Sequence, residues 1–153
     1  QLVVEKMSQV FFLIVGEGPD RPGLENLCKD LGLQSQVIFL GKRIDIPAIL
    51  CASDIGVLSS KSESFSNAVV EYMAAGLPVV ATDVGGVREA VDEAVNGYVV
   101  PTGNYKQLAE QIVEVVCSGA MKQMGENSRT VSSKMFTLDK MIDETQKMYI
   151  GKV

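Results

Sequence analysis

Short apolar runs alternate with helical patterns through the first two thirds of this chain, and each run stops at Gly, Pro, Ser or Asp. Val10 to Val15, Val37 to Leu40, Ile55 to Leu58, Pro78 to Ala81 and Tyr98 to Val100 read as strands. Their apolar character is continuous, without the alternation of a sheet that has one wet face. Between them, Leu24 to Leu31, Ile46 to Ala52, Asn67 to Ala75 and Val87 to Val91 carry helical patterns. Strands apolar on both faces, joined by crossover helices, predict an α/β fold: a doubly wound, Rossmann-like parallel sheet covered on both sides. Ligands of such sheets bind at the carboxyl ends of the strands. Beyond Pro101 the pattern is helical, with Tyr105 to Cys117, Met121 to Lys134 and an amphipathic Leu138 to Tyr149 as extra C-terminal helices. No repeat or low-complexity linker divides the 153 residues, so one domain with these helices packed on it is expected.

Charge and cysteine content remove several function classes. A net charge of -5, with scattered basic residues, argues against a nucleic-acid groove. The longest apolar run, Val10 to Val15, is far too short to span a bilayer, and no signal-peptide pattern opens the chain. Cys28, Cys51 and Cys117 are odd in number and lack C-x-x-C spacing, which predicts reduced thiols on apolar helix positions and a cytoplasmic setting. The chain contains no histidine. Neither a metal site nor a cofactor is expected.

The segment Ser62 to Gly86, SESFSNAVVEYMAAGLPVVATDVGG, has the composition of a binding site. Asn67 is expected to cap the helix, which puts Glu71 one turn in, on the face Asn67 starts, leaning back toward the N-terminus. Glu63 and Glu71 then face one mouth. The backbone N–H groups around Ser64, Phe65, Ser66 and Asn67 lack helical partners there and carry the positive end of the helix dipole. An anion on those amides and vicinal hydroxyls on the carboxylates describe a phosphorylated sugar, such as a nucleotide sugar. An unpaired buried carboxylate would be expensive, and the apolar neighbours of Glu71 leave it little polar surface to join.

Other strand ends leave two readings open. Gly16 and Gly18, in GEGP, allow close approach of a ligand or form a plain turn. Lys42 and Arg43 offer cations to a base or a phosphate, or are solvated charges ahead of a helix capped by Asp45. Asp83-Val84-Gly85-Gly86 would bring bare backbone beside the two acids, or is a tight turn.

ESFSNAVVE followed by YMAAGLPVVATDVGG, with GEGP and VIFLGKR upstream, resembles the C-terminal, donor-binding half of the group 1 retaining glycosyltransferases of the GT-B fold. The resemblance runs from about Val10 to the C-terminal helices. It implies that Glu63 lies against the donor sugar, as the catalytic residue of this chain, and that Phe65 and Ser66 offer amides to sugar or diphosphate. It further implies that Glu71 accepts from the ribose hydroxyls and that the loop Lys42 to Ile44 borders the nucleobase. Ser64 stands where relatives often carry glycine; its backbone role survives that change. The implied reaction is metal-independent transfer from a nucleotide diphosphate sugar to an acceptor, with retention.

The departures from the family pattern carry expectations of their own. Gln1 to Ser8 resembles the helix that relatives place after a strand ending in Gly-Arg with a Lys beyond it, and those diphosphate-clamping cations are absent. The first, central strand is absent as well, so the sheet is expected to leave a gap, rearrange its edge, or take pairing from another copy. The acceptor domain is also missing, which reads as a fragment of a larger two-domain enzyme that binds donor weakly and transfers nothing alone. Self-association through the incomplete sheet is a further expectation, as is peripheral membrane attachment of a longer protein. Two other classes fit part of the pattern: a nucleotide-sugar epimerase of the same architecture, and a non-catalytic doubly wound binding or signalling module.

Overall fold

The computed structural model describes residues 1–151, and the contacts between them gather into two compact units, residues 1–49 and the remainder from Leu50. The first unit contains α1 (Leu2–Lys6), β1 (Phe12–Val15), α2 (Arg21–Asp30), β2 (Val37–Gly41) and most of α3 (Ile46–Cys51). β1 and β2 run parallel, Phe12 opposite Val37 and Ile14 opposite Phe39, with a register shift before Val15 meets Gly41. Pro22 sits in the first turn of α2, where its missing N–H costs nothing. Arg21 then links Glu17 and Glu25 along one helix face and lies 5.8 Å over the Phe39 ring. Leu13, Ile14 and Val15 are only about three-fifths covered.

The second unit holds β3 (Gly56–Leu58), α4 (Asn67–Ala75), β4 (Val79–Thr82), α5 (Val87–Ala90) and β5 (Gly97–Val100), then α6 (Tyr105–Cys117), α7 (Met121–Met135) and α8 (Leu138–Ile150). β4 is central between β3 and β5, all parallel, with Val80 opposite Val57 and Tyr98. Each strand pairs only within its own unit among the described residues. β4 is buried along its whole length, the burial its continuous apolar sequence requires, and its side chains join Leu58, Val69, Met73, Val87 and Val99 in the core.

Packing on that core explains where the helices stop and meet. α4 ends at Gly76, whose left-handed φ of 82° returns its N–H to the carbonyls of Tyr72 and Met73. α7 crosses at that point, and Arg129 Nη2 donates to the Ala75 carbonyl at 2.9 Å, placing a cation on the negative end of α4. Asn104 caps α6 by accepting from the Gln107 N–H at 3.1 Å.

Two expectations need correction here. α8 is exposed from Leu138 to Ile150 and is not packed on the unit as α6 and α7 are; its apolar positions Leu138, Met141 and Met148 are 66%, 59% and 73% exposed. Amphipathic spacing specifies a helix with one apolar face, but it does not specify what covers that face. The three cysteines are free, yet Cys51 and Cys117 are exposed rather than on apolar faces.

Candidate functional site

The loop between β3 and α4 is fixed to the sheet at its start. Thr82, buried at the end of β4, donates through Oγ1 to the Ser60 carbonyl at 2.7 Å, with the Leu58 carbonyl 3.4 Å away. Ser60 Oγ in turn donates to Glu63 Oε1 at 2.9 Å, which orients a half-buried carboxylate. Further along, the Phe65 ring packs at 5.6 Å and 47° against Phe136, itself set against the core.

The loop after β4 lies on the same segment. Gly85 has φ 49°, and a Cβ built there would stand 2.4 Å from the Ser64 carbonyl oxygen and 2.6 Å from that of Glu63. Both neighbours are backbone and cannot swing away, so this contact requires glycine twice over, by conformation and by space. At Gly86 the corresponding atom would meet the Phe65 ring at 2.7 Å, with Glu89 Oε1 at 3.6 Å. Gly85 and Gly86 therefore bring bare backbone against Glu63, Ser64 and Phe65.

The start of α4 differs from expectation by one residue. Ser66, extended at φ -95° and ψ 107°, holds the cap position, and Asn67 is already the first helical residue. Asn67 had been expected there because its side chain suits a cap, but the backbone turns helical one residue earlier. No side chain caps this end. Among the described residues, the N–H groups of Ser64, Phe65, Ser66 and Asn67 donate to no backbone carbonyl. Four donors and the positive end of a nine-residue helix thus open together.

Glu71 is exposed, which corrects the premise that its apolar neighbours would bury it. Val69 and Met73 take the core side of α4, while Asn67, Glu71 and Ala74 form an open stripe at helical spacing. Tyr72, beside Glu71, turns inward over Gly56 with its hydroxyl 3.4 Å from the Val57 carbonyl. Burial pushes that phenol above its ordinary pKa, and the charge on Glu71 adds to the effect.

One feature of this region escaped sequence reasoning. Arg88 Nε donates to Asp83 Oδ2 at 2.8 Å across the Gly85–Gly86 turn. The signal was an acid before the paired glycines and an arginine after them, at a spacing of five that no helix rule flags.

Gly16, Gly18, Lys42, Arg43 and Ile44 belong to the first unit. Gly16 requires glycine at φ 119°, whereas Gly18 has neither a left-handed φ nor a close neighbour. A cavity of about 230 Å³ lies beside them, lined in part by Glu17, Arg21 and Phe39. Arg43 is held by Asp45 through two bonds, at 2.8 and 2.6 Å, so the Asp45 carboxylate is engaged by a side chain. Lys42 is exposed, and Ile44 is 96% exposed. Among the described residues no group of three or more His, Cys, Asp or Glu is arranged to hold a metal ion.

Known proteins resemble this chain in sequence and fold. The chain is 31% identical to an N-acetyl-alpha-D-glucosaminyl L-malate synthase of Bacillus anthracis over 90% of its own length and 36% of that protein. The Anabaena protein HepE, solved with UDP and also with UDP-glucose, superposes with a TM-score of 0.85 at 27% identity, over 98% of this chain and 44% of HepE. The C-terminal domain of LpcC, a group 1 family glycosyl transferase of Francisella tularensis, gives 0.82 at 27% identity, over 90% of this chain and 75% of that one. This chain thus spans well under half of the longer relatives it matches. The model of the family described as glycosyl transferases group 1 covers residues 1–118, and with the doubly wound topology and the E-x7-E loop and helix in place, the chain belongs to that family.

Proposed function

We propose that this chain is the donor-binding part of a retaining glycosyltransferase that moves a sugar from a nucleotide diphosphate sugar to an acceptor in glycan or polysaccharide biosynthesis. The observation that carries the reading is the uncapped start of α4, where open amides from Ser64 to Asn67 adjoin Glu63 and precede the exposed Glu71 by one turn. Amides and helix dipole suit the diphosphate, and acceptor-only carboxylates suit sugar hydroxyls. In this reading Glu63 is catalytic and meets the donor sugar, Phe65 and Ser66 bind through their amides, and Glu71 accepts from the ribose. Gly85 and Gly86 admit the ligand to bare backbone. The donor contacts proposed for Gly16, Gly18 and the loop Lys42 to Ile44 are those that the family resemblance implies.

Rate enhancement would come from positioning and from stabilising the charge that develops on the leaving diphosphate, with no metal or cofactor proposed. The UDP and UDP-glucose held by HepE support a nucleotide donor here. The acceptor would be bound by a separate domain of a longer protein. No nucleic-acid partner is proposed, in keeping with the net charge of -5. Free thiols support a cytoplasmic setting. Self-association through β1 is part of the proposal, supported by the exposure of its apolar residues.

The test is Glu71→Ala. Loss of charge-assisted hydrogen bonds to two vicinal hydroxyls should weaken UDP binding by tenfold or more, roughly 1.4 kcal/mol per decade, with an unchanged circular dichroism spectrum. Equal affinity in both proteins discards the ribose role.

A further inference from the structure

Asp83 and Arg88 face each other over the very turn that rests on the Glu63–Phe65 loop. The pair makes a single hydrogen bond, Arg88 Nε to Asp83 Oδ2 at 2.8 Å, and the two side chains are 57% and 41% exposed. Val87 and Ala90 take the buried side of α5, which leaves Arg88 facing solvent. A guanidinium carries five N–H donors in a planar fork, and the ion pair uses one of them.

The competition for that guanidinium has a clear winner. Exposed monodentate ion pairs contribute little to stability, because solvent already satisfies both charges. A diphosphate offers oxygens for two parallel N–H bonds from one arginine and carries more charge in total than the single carboxylate that now holds one. Asp83 is therefore a weak partner that a phosphate displaces. The turn between Asp83 and Arg88 packs on the candidate loop, setting Gly85 against the Glu63 and Ser64 carbonyls and Gly86 against the Phe65 ring.

We propose that Arg88 is a diphosphate-binding residue of the donor site, which exchanges Asp83 for the ligand's phosphate oxygens. This rests on the donor-site reading given above. Asp83 then competes with the ligand, so its charge lowers donor affinity.

Calorimetric titration of this chain with UDP and with uridine tests the proposal. The unaltered chain should bind UDP more tightly than uridine. Arg88→Ala should lose about tenfold or more in UDP affinity and leave uridine unchanged, and Arg88→Lys should recover part of that loss. Asp83→Asn should tighten UDP binding several-fold, and the gain should vanish when Arg88→Ala is added. The same UDP affinity with and without Arg88, or equal losses for UDP and uridine, overturns the assignment. So would loss of UDP binding in Lys61→Ala with none in Arg88→Ala. Failure of the unaltered chain to bind UDP would remove the donor-site reading and this inference together, whereas UDP binding indifferent to Arg88 removes the inference alone.

Discussion

Gly125 of α7 meets Gly76 at the end of α4 so closely that a Cβ on Gly125 would stand 2.1 Å from the Gly76 carbonyl oxygen. That oxygen is backbone in a left-handed turn already set by the end of α4, so relief requires the two helices to part. Gly125→Ala should gain up to about 1 kcal/mol in helix propensity. Overpacking should cost about 1–3 kcal/mol and exceed it. Urea denaturation should show a net loss; a more stable protein would mean that α7 shifts freely on α4.

Thr82 joins the carboxyl end of β4 to the loop that opens the candidate site. Thr82→Val keeps the shape and removes the donor, leaving the Ser60 carbonyl to find water. A loss of about 1 kcal/mol is expected, with faster amide hydrogen exchange confined to the loop between β3 and α4. Exchange spread evenly over β3, β4 and β5 would instead mark a general weakening of the sheet.

Ala94 is the one non-glycine residue with positive φ among the described residues, at 60°. A Cβ there costs about 1–2 kcal/mol against the right-handed region, and glycine pays back about 0.4–1 kcal/mol in unfolded-chain entropy. Ala94→Gly should therefore raise stability by about 0.5 kcal/mol, readable as a higher denaturation midpoint at unchanged slope. A lower midpoint would mean that this turn relaxes without strain.

Asp45 should titrate below its ordinary 3.8 because Arg43 hydrogen-bonds its carboxylate, with its own backbone N–H adding to the effect. A depressed native pKa contributes stability that is present above the unfolded value and lost as pH falls through the native one. In Arg43→Gln the Asp45 midpoint, followed by NMR, should rise toward 3.8, and added salt should raise it in the unaltered chain too. An identical midpoint in both proteins would show that the pair is open in solution.

How much of this was legible beforehand depends on how local each determinant is. α4 and α6 run from Asn67 to Ala75 and from Tyr105 to Cys117, as their apolar spacing dictates, because that signal acts within a few residues, whereas the cap of α4 was expected at Asn67 and falls at Ser66. The apolar runs marked every strand, with ends displaced by one or two positions. The contact of Gly85 with the Glu63 and Ser64 carbonyls followed from strand order in a parallel sheet, although its closeness did not. Gly125 against Gly76, and Arg129 on the Ala75 carbonyl, depend on a crossing between helices some fifty residues apart, which no local pattern encodes. Glu71 was misjudged as facing apolar surroundings because Ala74 counts as apolar in sequence yet is exposed beside it. That the strands fall into a pair and a trio was within the expectation of a gap in the sheet, although every strand carries the same apolar signature whether or not it has two neighbours.

The Thr82 hydroxyl has a consequence for how such a loop can change. Because its anchor comes from the middle strand, the tip at Lys61 and Ser62, both exposed, can be rewritten without moving the address at which the following residues arrive. The start of that loop is thus held by the sheet while, among the described residues, its exposed tip is held by nothing the sheet provides.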